Sequence, residues 1–154
     1  MNLNIPYMET DNKLLNDAYR IAAGDIVGNI VYYQNGLLTE EKPCMIAGLD
    51  YNTPWTRDTA INIWNALSIL SPEVSKNTLL AVLEEEEGNI YIGGQYWDSI
   101  IWMIGAREYC RFHKDDNFYR LAFEAGRNSV HRLEEGEFDE EDGLFRGPAV
   151  YGDG

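Results

Sequence analysis

The sequence predicts an all-α fold of alternating inner and outer helices joined as antiparallel hairpins. Three observations carry that expectation. Apolar residues recur at helical spacing through most of the chain. Two stretches, Ala60 to Leu70 and Asp98 to Arg107, hold almost no charge in their interiors, so as helices they would be apolar nearly all round and buried. Two others, "EVSKNTLLAVLEEEEG" and "NFYRLAFEAGRNSVHRLEEGE", carry their charges along one side and suit the outside of a core. Buried and amphipathic helices in alternation imply an inner ring wrapped by an outer one, with a plain helical bundle as the other arrangement of the same parts.

Taken in order, a first helix is expected from about Asp11 to Tyr33, with Leu14, Ala18, Ile21, Ala22 and Asp25 on one stripe and Ile26, Ile30 and Tyr33 beside it. "QNGLLTEEKPCMIAGLDYNTP" reads as a loop, with room for a short extended piece at "CMIAG". A second helix runs from about Thr56 to Leu70. Ser71 caps a third, with Pro72 in its first turn, and that helix is expected to end in "LEEEEG" at Gly88. "NIYIGG" is a brief break. The fourth helix spans about Tyr96 to His113, "KDDN" is a turn, and the fifth spans about Asn117 to Glu135. The tail "GEFDEEDGLFRGPAVYGDG" is irregular.

If the hairpins are antiparallel, the inner helices all run one way and their N-termini meet at one mouth. Trp55, Arg57 and Asp58 open the second helix. Gln95, Tyr96, Trp97 and Asp98 open the fourth. Tyr151 and Asp153 stand where a further inner helix would begin. Each aspartate has a plain structural role as a cap and a complement to the helix dipole, worth about 0.5–2 kcal/mol. A tryptophan at such a place can equally be core. Arg57 fits the plain account badly, because a cation in a first turn opposes the dipole. Aromatic faces with Arg and Asp hydrogen-bonding groups are what a sugar needs: its C–H face stacks on a ring and its hydroxyls take bonds from charged groups.

Charge narrows the partners. A net charge of −14 over 154 residues argues against nucleic acid and against an anionic membrane, and favours a neutral ligand. No apolar run reaches membrane-spanning length, and "MNLNIPYMETDNK" lacks the basic start and apolar centre of a signal peptide. Cys44 and Cys110 have no metal or redox spacing, and Cys110 is expected in the core. No metal and no cofactor are implied.

"YNTPWTRDTAINIW" resembles the Trp-x-Arg-Asp segment of the six-hairpin glycosidases, the (α/α)6 toroids that include glucoamylases and the glucosidase part of glycogen-debranching enzymes. "GQYWDSIIWMIGAREYCRFHKDD" is similar to their later segment in which an Asp opens an inner helix. "DGLFRGPAVYGDG" resembles the loop that carries their general acid. The resemblance implies that Arg57, Asp58 and Asp98 hydrogen-bond the hydroxyls of a terminal sugar. Trp55 would border that subsite, with Gln95, Tyr96, Trp97 and Tyr151 nearby, and Asp153 would be the general acid. A Tyr stands at 151 where the family loop usually has Trp. The substrate class implied is an oligosaccharide or glycoside, cleaved from its end with inversion.

About five helices make an incomplete toroid. The expectation is therefore an N-terminal portion of a longer enzyme, inactive alone, or a short chain that completes its ring by self-association. A non-catalytic sugar-binding module is the other functional reading. Inversion also needs a base about 6.5–9.5 Å from the acid, and no residue here matches the family's base segment. Asp139 to Asp142 lack calcium-loop spacing and read as a solvated loop. Glu84 to Glu87 read as a solvated helix end. His113 suits a helix C-terminus.

Overall fold

A computed structural model describes residues 5–48 and 50–146. Helix α1 (Lys13–Gly28) starts where the Asn12 side chain accepts hydrogen bonds from Leu14 N and Leu15 N. It stops earlier than the periodicity implies. Asn29 turns the chain, donating to Asp25 O from its backbone (3.1 Å) and from its amide Nδ2 (2.9 Å). The run Ile30-Val31-Tyr32-Tyr33 then forms strand β1 (Ile30–Tyr33), as a string of β-branched and aromatic residues favours. It pairs antiparallel with β2 (Lys42–Met45), Ile30 facing Met45 and Val31 facing Cys44.

Helix α2 (Thr56–Asn62) passes through a π turn (Ile63–Leu67) into a last α turn, α3 (Ser68–Leu70). Ser71 caps α4 (Pro72–Ala81), its Oγ accepting from Val74 N, with Pro72 in the first turn. The glutamate run is not a helix end. Leu83–Glu86 is strand β3, and it pairs with β4 (Asn89–Ile92) through a tight turn at Glu87 (φ 51°) and Gly88 (φ 80°). Positive φ at both central residues is the geometry that matches the twist of a two-residue hairpin. Arg132, from a later helix, closes the outer side: its guanidinium lies 2.5 Å from Glu86 and 3.5 Å above the Tyr91 ring. Helix α5 (Tyr96–Phe112) and helix α6 (Asp116–Glu137) follow, then a minimal hairpin of β5 (Phe138–Asp139) and β6 (Leu144–Phe145).

The all-α expectation, and with it the incomplete toroid, is therefore corrected. The protein is mixed α and β, with five helical segments and three two-stranded antiparallel sheets among the described residues. The β1–β2 sheet packs on α4, and β4 packs on α6. Side-chain hydroxyls bind the sheets to the helices. Met45 N donates to Thr78 Oγ1 (3.0 Å) and Ile92 N donates to Ser129 Oγ (2.8 Å), so backbone groups that the short strands leave without ladder partners are satisfied from helices.

Trp102 on α5 is fully buried at the centre, among Ile63, Leu67, Leu79, Leu83 and Phe118, and donates its Nε1–H to Leu79 O. The α2–α3 segment and α5 lie side by side and parallel. Arg57 meets Asp98 at their starts, Ala60 lies against Gly105 midway, and Ser68 O meets His113 Nε2 at 2.6 Å at the far end. Gly105 is what lets them touch, since a Cβ there would stand 2.7 Å from the Cα of Ala60. Cys44 is buried, whereas Cys110, expected in the core, is only partly buried.

Candidate functional site

The parallel pair brings two helix N-termini together. Trp55 precedes α2 in extended conformation (φ −107°, ψ 137°), and Gln95 precedes α5 likewise (φ −91°, ψ 158°). Thr56 Oγ1 donates to Gly93 O (2.8 Å) and so ties the start of α2 to the loop that enters α5. Between them lies a pocket of about 250 Å³, lined among others by Trp55, Thr56, Glu84, Gly93, Gln95 and Asp98.

Asp98 is its best-defined polar group, with only 3% of the residue exposed. Oδ1 accepts from Arg57 Nε at 3.2 Å, and Oδ2 accepts from Gln95 N at 2.8 Å, capping α5. The helix dipole adds a favourable field at the same place. A carboxylate has about four acceptor positions. Among the described residues, two N–H donors engage this one. Gly94 makes this packing possible. Its φ of +108° suits glycine, and a Cβ would lie 2.6 Å from Asp98 Oδ2 and 2.9 Å from Thr56 Oγ1. Gly93 has a similar part, with Glu84 Oε1 2.6 Å from the position of a Cβ. Trp55 stands half exposed beside the pocket, its ring edge-on to Tyr51 at 5.9 Å and 73°.

The sequence-predicted residues divide accordingly. Trp55, Gln95 and Asp98 line one pocket, and Arg57 reaches it through Asp98. Arg57 pairs with an aspartate of another helix, 41 residues on in the chain. Asp58 sits in the first turn of α2, partly buried, and is not among that pocket's lining residues. Trp97 faces away, into a separate apolar hollow with Ile100, Met103 and Val130. Tyr96 is the first residue of α5. Tyr151 and Asp153 lie outside the described residues.

Glu84 and the Gly93-Gly94 pair were missed as site residues. The signal for Glu84 was Glu87-Gly88-Asn89, which can be read as a hairpin turn and would have placed the glutamates on a strand. The glycine pair just before a capped helix start marked close backbone approach. Asp139 holds its own turn together, accepting from Glu141 N (2.8 Å) and Asp142 N (3.2 Å), and Arg146 bridges Asp139 and Asp142 at 2.5 Å each. Among the described residues no group of three or more His, Cys, Asp or Glu side chains is placed to hold a metal ion, and no helix is long and apolar enough to cross a membrane. No family model, no curated protein and no solved structure matches this chain.

Proposed function

We propose that the pocket between the starts of α2 and α5 binds the terminal sugar of an oligosaccharide or glycoside, and that the protein is an exo-acting, inverting glycoside hydrolase. One observation carries the reading. The Asp98 carboxylate, gripped from behind by Arg57, opens with Gln95 and the Trp55 ring into a single pocket. A charged acceptor beside an aromatic face is the chemistry of sugar recognition. The Trp-x-Arg-Asp resemblance supports the same assignment and supplies Asp153 as general acid. Arg57 orients Asp98, and Asp98 and Gln95 take the hydroxyls.

A non-catalytic sugar-binding site is the second reading. It needs only the pocket that Asp98, Gln95 and Trp55 line, without the acid assigned to Asp153. Titration of the protein with a panel of monosaccharides, followed by nuclear magnetic resonance, tests what the two readings share. Saturable binding to one sugar, lost in Asp98→Asn and in Arg57→Ala, is expected. Absence of binding to every sugar tried would remove both. Release of reducing sugar from the matching glycoside, by this chain or by a longer polypeptide that carries it, abolished in Asp153→Asn, decides for hydrolysis, and binding with no release by either decides for the module.

A further inference from the structure

The outer side of the α5–α6 pair is apolar along its length. Trp97, Ile100 and Ile104 of α5, Tyr119 and Phe123 of α6, and Phe145 of β6 all stand with 38% or more of their surface in solvent. Between the two helices run three hollows of about 410, 350 and 170 Å³ that share Met103. Single exposed apolar residues need no explanation, but a continuous set with hollows between them marks a docking surface. Each of these side chains contributes roughly 100 Å² at half exposure. Their sum is on the order of 600 Å², so two such faces would bury about 1,200 Å², the lower bound of specific, stable interfaces.

The charges on the face select the occupant. Because α6 runs antiparallel to α5, Glu134 lies at the Trp97 end, beside Ile100 and Phe145, while Arg107 lies at the opposite end with Tyr119 and Phe123. His131 is the local partner of Glu134 at 3.3 Å, and Arg127 lies between the two ends. A two-fold axis across the middle of α5 would lay one face antiparallel on another. It would set Glu134 of each copy over Arg107 of the other, and Trp97 opposite the Tyr119–Phe123 end. A self-complementary patch of this kind is what an isologous contact requires. We infer that this face is the contact surface of a symmetric homodimer, with the α5 helices crossing antiparallel at Ile100 and Ile104. This rests on the α5–α6 face and is independent of the sugar pocket.

Sedimentation equilibrium of the whole chain over a range of concentrations tests it. A monomer–dimer equilibrium with a micromolar Kd is expected for an interface at the small end of the size range. Ile104→Glu and Phe123→Glu should each weaken it at least tenfold while the circular dichroism spectrum is retained. Arg107→Glu and Glu134→Arg should each raise the Kd, and the double variant should restore it, an outcome that loss of folding cannot imitate. A chain that sediments as a monomer throughout overturns the inference and leaves the face to a different protein or a further polypeptide segment. A dimer indifferent to all four substitutions overturns it equally.

Discussion

Replacing Gly105 by alanine tests the contact on which the site's geometry depends. A Cβ at 105 would stand 2.7 Å from Ala60 Cα, 3.1 Å from Ala60 O and 3.2 Å from Ala60 Cβ, so the obstacle is mainly backbone, which no rotamer change can relieve. Overpacking of this kind costs about 1–3 kcal/mol. Alanine is the better helix former, which returns about 0.5–1 kcal/mol. The expected net loss is about 0–2.5 kcal/mol, a fall in Tm of up to about 10 °C for a chain of this size. Gly24 supplies the control, since it is helical and a Cβ there meets nothing within 4 Å. Gly24→Ala should gain about 0.5–1 kcal/mol from propensity and reduced unfolded-state entropy alone. Urea denaturation of the three proteins, with the slope checked for constancy, gives both differences. If Gly105→Ala matched Gly24→Ala in stability, the close parallel packing of α2 on α5 would be refuted.

Gly94→Ala sets a Cβ against Asp98 Oδ2 at a φ of +108°, so it should cost about 1–3 kcal/mol and abolish monosaccharide binding, checked by thermal melting and titration; unchanged values for both would sink the account of the pocket. The Lys76 ammonium, 2.6 Å away, is the main cause that holds the Asp115 carboxyl below its usual range, helped by the Phe118 N–H that it caps. A depressed folded-state value means that the pair's contribution is present above the unfolded pKa of about 3.9 and is lost as pH falls through the folded value. Asp115→Asn keeps the cap acceptor, so its Tm deficit should be present at neutral pH and vanish well below pH 3.9; a deficit independent of pH counts against the ion pair. Burial pushes the Cys44 thiol up to about 12, against the Thr78 hydroxyl, which lowers it. At pH 8 its thiolate fraction should therefore be about a thousandfold below that of an exposed cysteine, and iodoacetamide should label Cys44 promptly only after denaturation.

The helices were legible where a cap or a breaker announced them. Ser71-Pro72 marked the start of α4 with a side-chain acceptor and a preset φ. The charge-free interiors of α2–α3 and α5 implied burial all round, and that is corrected: Ile61, Trp64 and Ile69 of the first and Ile100 and Ile104 of the second stand 38–57% exposed. Of the strands only β2 was foreshadowed, by the short extended piece expected at "CMIAG"; the others were not legible, because each is four residues or fewer and acquires its stability elsewhere. Ile30 to Tyr33 continue the α1 periodicity and become a strand only because Lys42 to Met45 return to pair with them over α4. Four consecutive glutamates have poor β-propensity, and what holds their hairpin is a turn at positive φ together with Arg132, 46 residues from Glu86.

Chemistry at the helix starts is local, and so the sequence alone determined it. Trp55, Arg57, Gln95 and Asp98 stand where two helices begin, and the caps and dipoles there follow from neighbours a few residues away. Which of these groups meet was decided only by the tertiary structure. Arg57 lies next to Asp58 in the chain yet bonds Asp98, 41 residues on, because a glycine at 105 lets the two helices lie in contact. Trp97 is adjacent to Asp98 but points into a different hollow, because successive residues on a helix differ by about 100° in direction. Glu84 joins the pocket through a hairpin that no helical periodicity could announce. Sequence spacing fixes direction along one element, whereas the meeting of side chains from separate elements depends on how closely those elements pack.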